Sequence, residues 1–274
     1  MIIVSNFSAE YGISFWDDEL NFINKFALGA NFTGMCKQSN NVIWMADHQN
    51  NDLCRVILNP EVKIEKKLTL PNPGTHGIHI HNNNLYVCDT LYDRILVYNI
   101  NSLQLVSQWK MSFENNDLHH VNSVFVDDNN CITSAFGLEK LQKGQRWKTK
   151  IGQGVIINLK KWFDGNGLPF VMYSNISIPH TAKIIDNQLM FLESATGNFV
   201  VGGESKFSSK SFLRGFDKSP DHYFVGASTV RPHGIINLNG DSILYKLNYD
   251  HKLIKSVEVP KELGEIFDII WIRG

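Results

Sequence analysis

No apolar run in this chain approaches the ~18–20 residues that a membrane-crossing helix needs. Neither charge is in excess, with 26 Lys and Arg against 27 Asp and Glu. The first absence argues against a helical membrane span. The second argues against nucleic acid or an anionic membrane surface as the main partner, because both reward a basic surplus. Cysteine is scarce, and Cys36, Cys54, Cys88 and Cys131 contain no C-x-x-C pair. That argues against a cysteine-built zinc site and fits buried thiols in a reducing, cytoplasmic setting. The opening MIIVSNFSAEYG has no basic stretch followed by an apolar core, so no secretory signal is expected. Helical periodicity is also nearly missing, and stretches such as 137–142 and 159–163 are long enough only for a turn or two.

What the chain does contain is short alternating runs bounded by Asn, Asp and Gly turns, the pattern of an all-β sandwich, barrel or propeller. An internal repeat decides among these. The segments NNVIWMADHQNNDLCRVI (40–57), NNLYVCDTLYDRILVY (83–98), NNCITSAFG (129–137), NQLMFLESATGNFVV (187–201) and DHYFVGASTVRPHGII (221–236) share one plan. Each is a polar turn, an alternating strand and an exit loop rich in Asp, Glu, Ser or Gly. Each is preceded by another short strand: FTGMCKQ, HGIHIH, NSVFVDD, HTAKIID and RGFDKS. The terminal EIFDIIWIRG reads as a first strand without followers, and IIVSNF, GISFWD and ELNFINKFAL at the other end read as three strands without a first. Joining them closes a ring and leaves no open edge. The expectation is a six-bladed β-propeller, one domain over residues 1–274, with its closing blade built from both ends. Five or seven blades would follow if the short fourth unit or the long third is miscounted. The third unit carries the insertion LEKLQKGQRWKTKIG, with five basic residues and one acid, between its second and third strands. Long charged loops on rigid scaffolds are commonly functional or disordered.

In such a ring the first strands line the central channel, and they begin on the face where second strands end. Aligning the units puts Thr33, His76, Asn122, His180 and Arg214 at one channel position, with Asp268 as the counterpart in the closing unit and His119 and His120 just above Asn122. The exit loops add Asp47, His48, Asp89, Tyr92, Glu193, Ser194, Ser228, Arg231 and His233. Asp47 and Asp89 suit satisfaction of backbone N–H groups in turns. Of His79 and His81, which alternate in HGIHIH, one is expected against a neighbouring blade, and His222 is expected in a solvated turn. His76, His180, His233 and His120 are candidate ligands for a divalent metal: zinc, iron(II), manganese(II) or calcium. Arg214 and Arg231 suit an anionic substrate group. The loop with Arg146 and Trp147 could close over the mouth, and Tyr92 and Glu193 could transfer protons.

The stretches HHVNSVFVDDNNCITSAFG, GQRWKTKIGQGVIINL, IPHTAKIIDNQLMFLESATGNF and FLRGFDKSPDHYFVGASTVRP resemble an uncharacterised bacterial family that carries only a domain-of-unknown-function label. The resemblance covers roughly the second half of the chain and implies a propeller-like fold. Its phrases fall on His119 and Asn122, on Arg146 and Trp147, on His180, Glu193 and Ser194, and on Arg214 and Ser228. Here the tryptophan follows the arginine, and a glutamate takes the place of the usual aspartate in the fourth exit loop. The first two units are more generally similar to NHL and SMP-30-type propellers. The resemblance implies a shared polar mouth, with Asn122, Arg146, Trp147 and Ser228 joining the arginines as substrate contacts, but no reaction.

The reading that follows is a propeller enzyme, a metal-dependent hydrolase or lyase acting on a small anionic metabolite at the channel mouth. No glycine-rich nucleotide loop points to redox chemistry. The alternative is a non-catalytic module binding a sugar, peptide or protein through exposed aromatics, for which Phe15, Trp16, Trp147 and Trp162 are the residues to inspect.

Overall fold

Alternating side chains become two buried faces when sheets stack radially, and that is how these strands are used. In the strand Val42–Asp47, Ile43 and Met45 pack toward Ile3, Phe15 and Ile270, whereas Trp44 and Ala46 pack toward Leu85, Val87 and Leu96. The computed structural model describes residues 1–274 except 9, 29–30, 72–73, 112–116, 139–150, 165–169, 229–240 and 274. Its strands form six four-stranded antiparallel sheets. Blades one to five occupy residues 32–69, 75–110, 123–176, 179–208 and 212–258 in turn. The sixth joins Glu265–Trp271 to Ile2–Phe7, Ile13–Trp16 and Phe22–Phe26, with Ile3 paired to Ile270 and Val4 to Ile269. The expected closure by both chain ends is therefore present.

Six apolar clusters each span one junction between neighbouring blades. A fully buried side chain such as Trp44 or Phe191 contributes about 2–3 kcal/mol by leaving water. Among the described residues no helix is long and apolar enough to cross a membrane. The one α-helix among the described residues, Leu159–Asp164, sits where only a turn or two was expected.

Polar links tie the inner ends of the blades together at every junction. Thr33 Oγ1 donates to the Thr75 carbonyl (2.8 Å), Thr90 Oγ1 to that of Val121 (2.5 Å) and Asn122 Nδ2 to that of Pro179 (3.0 Å). Ser194 Oγ donates to the Leu213 carbonyl (2.6 Å) and Ser228 Oγ to that of Ile266. Asp268 Oδ2 accepts from the Met35 N–H (2.9 Å) and completes the circle.

The inner strands of blades one, two, four and five each slip register just inside the mouth, between Phe32 and Gly34, Thr75 and Ile78, His180 and Lys183, and Leu213 and Phe216. A bulge of this kind turns a side chain out of the regular alternation, and here it accompanies Thr33, His76, His180 and Arg214. The residue after the bulge must let the next strand in close. A Cβ on Gly77 would lie 2.8 Å from Ser123 Cα, and one on Gly215, whose φ is +68°, would lie 2.6 Å from Asp268 Cα.

Candidate functional site at the channel mouth

Side chains from all six blades meet around the mouth in a closed circuit of ring contacts. His48 lies 5.5 Å from His76 and His76 5.4 Å from His120, centroid to centroid. His120 stacks on Phe136 at 4.4 Å, Phe136 is 5.4 Å from His180, and His180 is 5.6 Å from Phe212. The Arg214 guanidinium sits 5.2 Å from the Phe212 ring and 4.0 Å from that of Phe267. Phe267 is 5.0 Å from Phe7, which returns to His48 at 6.0 Å. Two phenyl faces hold the arginine, a cation–π arrangement that fixes its planar fork.

The hydrogen-bond partners decide which nitrogen of each imidazole carries a proton. His76 Nδ1 is 3.1 Å from the Gly74 carbonyl, which can only accept, so Nδ1 donates. Thr90 Oγ1, also 3.1 Å from this nitrogen, gives its own hydrogen to Val121 and can accept as well. His180 Nδ1 is 2.8 Å from Ser194 Oγ, and because that hydroxyl donates to Leu213 it must accept from His180. His120 Nδ1 donates to the Asp117 carboxylate at 2.9 Å, and His48 Nδ1 points to the Thr75 carbonyl at 3.4 Å. All four rings are thus tied to the wall through Nδ1. In neutral His76 and His180 this leaves Nε2, on the opposite edge, with the lone pair.

Burial is the largest influence on both of these rings and pushes their pKa values well below the ordinary histidine value. His120 and His48 add to the effect at His76, and Arg214 followed by His120 adds to it at His180. Both are neutral near pH 7.

Several residues expected at the site serve the scaffold instead. Asn122 immediately precedes the inner strand of blade three, whose pairing shows no register shift, and it lines the axial cavity with His76 and His180. It gives Nδ2 to Pro179 and takes the Ser134 hydroxyl on Oδ1 at 2.6 Å. Ser228 is buried with its hydroxyl committed to Ile266. Glu193 faces away from the mouth-lining Ser194, accepting from the Ser177 N–H at 2.9 Å and from Asn198 Nδ2 at 3.2 Å. It does the turn-holding work that Asp47 does through the Gln49 and Asn50 N–H groups. Tyr92 covers Arg94, which is paired at 2.7 Å with Asp89. Asp89 therefore holds an ion pair as well as a strand end. His79 and His81 both contact blade three, through Phe125 and Asp128. Phe15 and Trp16 are buried core and offer no exposed binding face. Arg146, Trp147, Arg231 and His233 lie outside the described residues, as does the Trp162 side chain.

Of the expected metal set, His233 lies outside the described residues, and His76, His120 and His180 are not grouped around one point. Among the described residues no three His, Cys, Asp or Glu side chains are placed to hold an ion. His76 and His120 are neighbours, but the Phe136 ring stands between His120 and His180. Two imidazoles fall short of the three protein ligands usual in catalytic zinc sites. Calcium prefers six to eight oxygens, which imidazoles do not provide. Sequence reasoning gave no role to His48 and passed over Phe136, although both occupy the exit position shared by Thr90, Ser194 and Ser228. Phe7, Phe212 and Phe267 carried no signal, since a lone phenylalanine in a strand reads as core.

With the geometry in hand, the chain can be placed. It is a six-bladed propeller with a basic, aromatic-lined axial mouth. Residues 66–274, more than half of its length, match the family described as domain of unknown function DUF4915, and the chain belongs to that family. No curated protein matches. Among solved structures it is similar to a protein of unknown function from Bacteroides caccae (11% identity, 100% of this chain and 98% of that one, TM-score 0.69). It is also similar to a chain of a nidogen/laminin complex (12%, 98% and 97%, 0.68) and to the calcium-binding protein regucalcin from Agrobacterium tumefaciens (13%, 85% and 75%, 0.57). At these identities the likeness shows the fold alone.

Proposed function

We propose that this chain is a propeller enzyme, a hydrolase or lyase, acting on a small anionic metabolite at the channel mouth. One observation carries the reading: two imidazoles with the same fixed tautomer, both held neutral, share a ring of side chains with an arginine clamped between two phenyl faces. Arg214 would receive a carboxylate or phosphate in a two-pronged geometry. His180 Nε2 would act as general base, with Ser194 keeping the ring oriented through Nδ1. Burial, and after it Arg214, makes His180 a weak base. A bound anion would offset that charge and raise the basicity of the imidazole when substrate is present. No step here is routed through a metal.

The test is a thermal-shift panel of small carboxylates and phosphates on tag-free protein, followed by NMR of the best binder for product. A saturable rise with at least one anion, lost in Arg214→Gln, is expected by mass action. Turnover should disappear in His180→Gln while binding persists. If no anion raises the transition, or if Arg214→Gln binds as well as the wild type, the assignment is wrong. The four phenyl rings of the circuit favour a second reading, a binder without turnover; binding with no product formed would select it.

A further inference from the structure

An axial cavity of about 260 Å³ is lined at the mouth by His76 and His180 and further along the inner strands by Lys183, Asp217, Asp268 and His79, with apolar surface from Ile80 and Phe125. We propose that the part of this cavity beyond the imidazoles is a second ligand site, a lower chamber that takes the ammonium group of a small primary amine on Asp268 and Asp217. The charge balance is the starting point. The wall carries two cations, Lys37 and Lys183, and two carboxylates, but the close ion pair falls on Asp217: Lys183 lies 3.8 Å from it and donates to the Phe216 carbonyl at 2.7 Å. His79 adds no charge near neutral pH, since burial followed by Lys183 pushes its pKa down to about 4. Lys37, at the rim, lies over the Trp271 ring.

Asp268 is the under-served member. Its oxygens each accept one backbone N–H, from Met35 and Ile269, both at 2.9 Å. A carboxylate offers about four acceptor positions, so capacity is left over. Burial raises its pKa to about 6 and Asp217 adds to this, against the opposing pull of Lys183 and the two N–H bonds. The Cys36 thiol, pushed well up by burial and then by Asp268, stays neutral. A charge that the protein compensates incompletely, facing a cavity, suits a cation that brings its own N–H donors. At ~30 Å³ per water the space holds roughly eight waters, enough for a compact amine with its carbon chain against Ile80 and Phe125. A divalent ion fits less well, because Lys183 occupies the wall and no three-ligand group is present among the described residues.

The experiment uses ethanolamine hydrochloride as probe, with potassium chloride and tetramethylammonium chloride at matched ionic strength, followed by thermal shift and calorimetry. The expected result is a saturable rise with ethanolamine only. Because the amine binds the ionised carboxylate, proton release should accompany binding at pH 6, and apparent affinity should fall about tenfold per pH unit below that. Asp268→Asn should lose the effect at least tenfold, and Arg214→Gln should keep it, which separates this site from the mouth. Equal shifts with potassium or tetramethylammonium, no shift at all, or an unchanged response in Asp268→Asn would overturn the proposal. If Asp268→Asn does not fold, absence of proton release in the wild type overturns it on its own.

Discussion

His76 and His180 at the mouth and Asp268 in the chamber below stand on inner strands of one ring, and enclosure moves them in opposite directions. The imidazoles are driven well below their usual pKa and the carboxyl is driven up to about 6. The same cause, loss of water around the charged form, produces neutral bases at one end and a poorly compensated acid at the other. Charged neighbours act differently at the two: Arg214 works against protonation of His180, whereas at Asp268 Lys183 favours ionisation more than Asp217 opposes it. The axis is therefore not a uniform polar tube. The two proposals assign an anion to the arginine end and a cation to the carboxylate end.

The largest expected effect removes the comparison altogether. Gly215 has a left-handed φ of +68°, and an added Cβ would meet the backbone of Asp268. Gly215→Val combines overpacking with an unfavourable φ, for a cost of about 3–5 kcal/mol. Urea unfolding should show the loss, and ligand responses at mouth and chamber should vanish together.

Titration separates the two ends. The folded histidines have depressed pKa values while the unfolded ones protonate near 6.5, so below about pH 6.5 the unfolded state binds more protons and stability falls as pH drops. Asp268 has the opposite sign. Its folded pKa of about 6 exceeds the ordinary aspartate value of 3.8, so its contribution is fully present below about pH 4 and is lost as pH rises through about 6. The span of about two pH units corresponds to about 2–3 kcal/mol. In His76→Gln/His180→Gln the acid-induced loss between pH 6.5 and 4 should shrink or reverse. In Asp268→Asn that loss should steepen. Identical pH profiles for the two variants would mean that the ends do not differ as described.

Much of this architecture was legible in the sequence, for reasons that differ by element. The blades could be counted because each repeats a polar turn followed by an apolar strand, and the closing blade because EIFDIIWIRG and IIVSNF each lacked partners. His76 and His180 could be put in register because both precede the strand they mark by the same interval. Asn122 was placed by the same interval and lines the same axial cavity, but nothing in NSVFV announces that its strand lacks a bulge. The phrases Thr33-Gly34, His76-Gly77 and Arg214-Gly215 do announce three of the other four bulges, since glycine follows where the next inner strand approaches, whereas His180-Thr181-Ala182 announces none. The duties of Glu193 and Ser194 were exchanged because strand alternation decides which of two adjacent polar residues faces the axis.

A moderate effect is expected at Ser194, which couples scaffold to site. Ser194→Ala leaves the Leu213 carbonyl without its donor and His180 Nδ1 without its acceptor. The stability cost should be about 1–3 kcal/mol. Loss of tautomer control should lower turnover more than anion binding, a split that Thr at this position should largely restore. Changes in stability with no kinetic split would reduce Ser194 to a blade connector.

The smallest effect should come from Glu193, the acid that sequence alone placed among the proton-transfer groups. Its carboxylate is spent on the Ser177 N–H and Asn198. Glu193→Gln keeps an acceptor oxygen for Ser177 and can still pair with Asn198 through the amide. Stability should change by about 1 kcal/mol or less. Neither the anion response at the mouth nor the amine response in the chamber should move, because the carboxylate lies on the far side of the strand from Ser194. A Glu193→Gln enzyme that bound its anion normally and lost turnover more than tenfold would place this acid in the chemistry after all, and the turn would then have to open during the reaction.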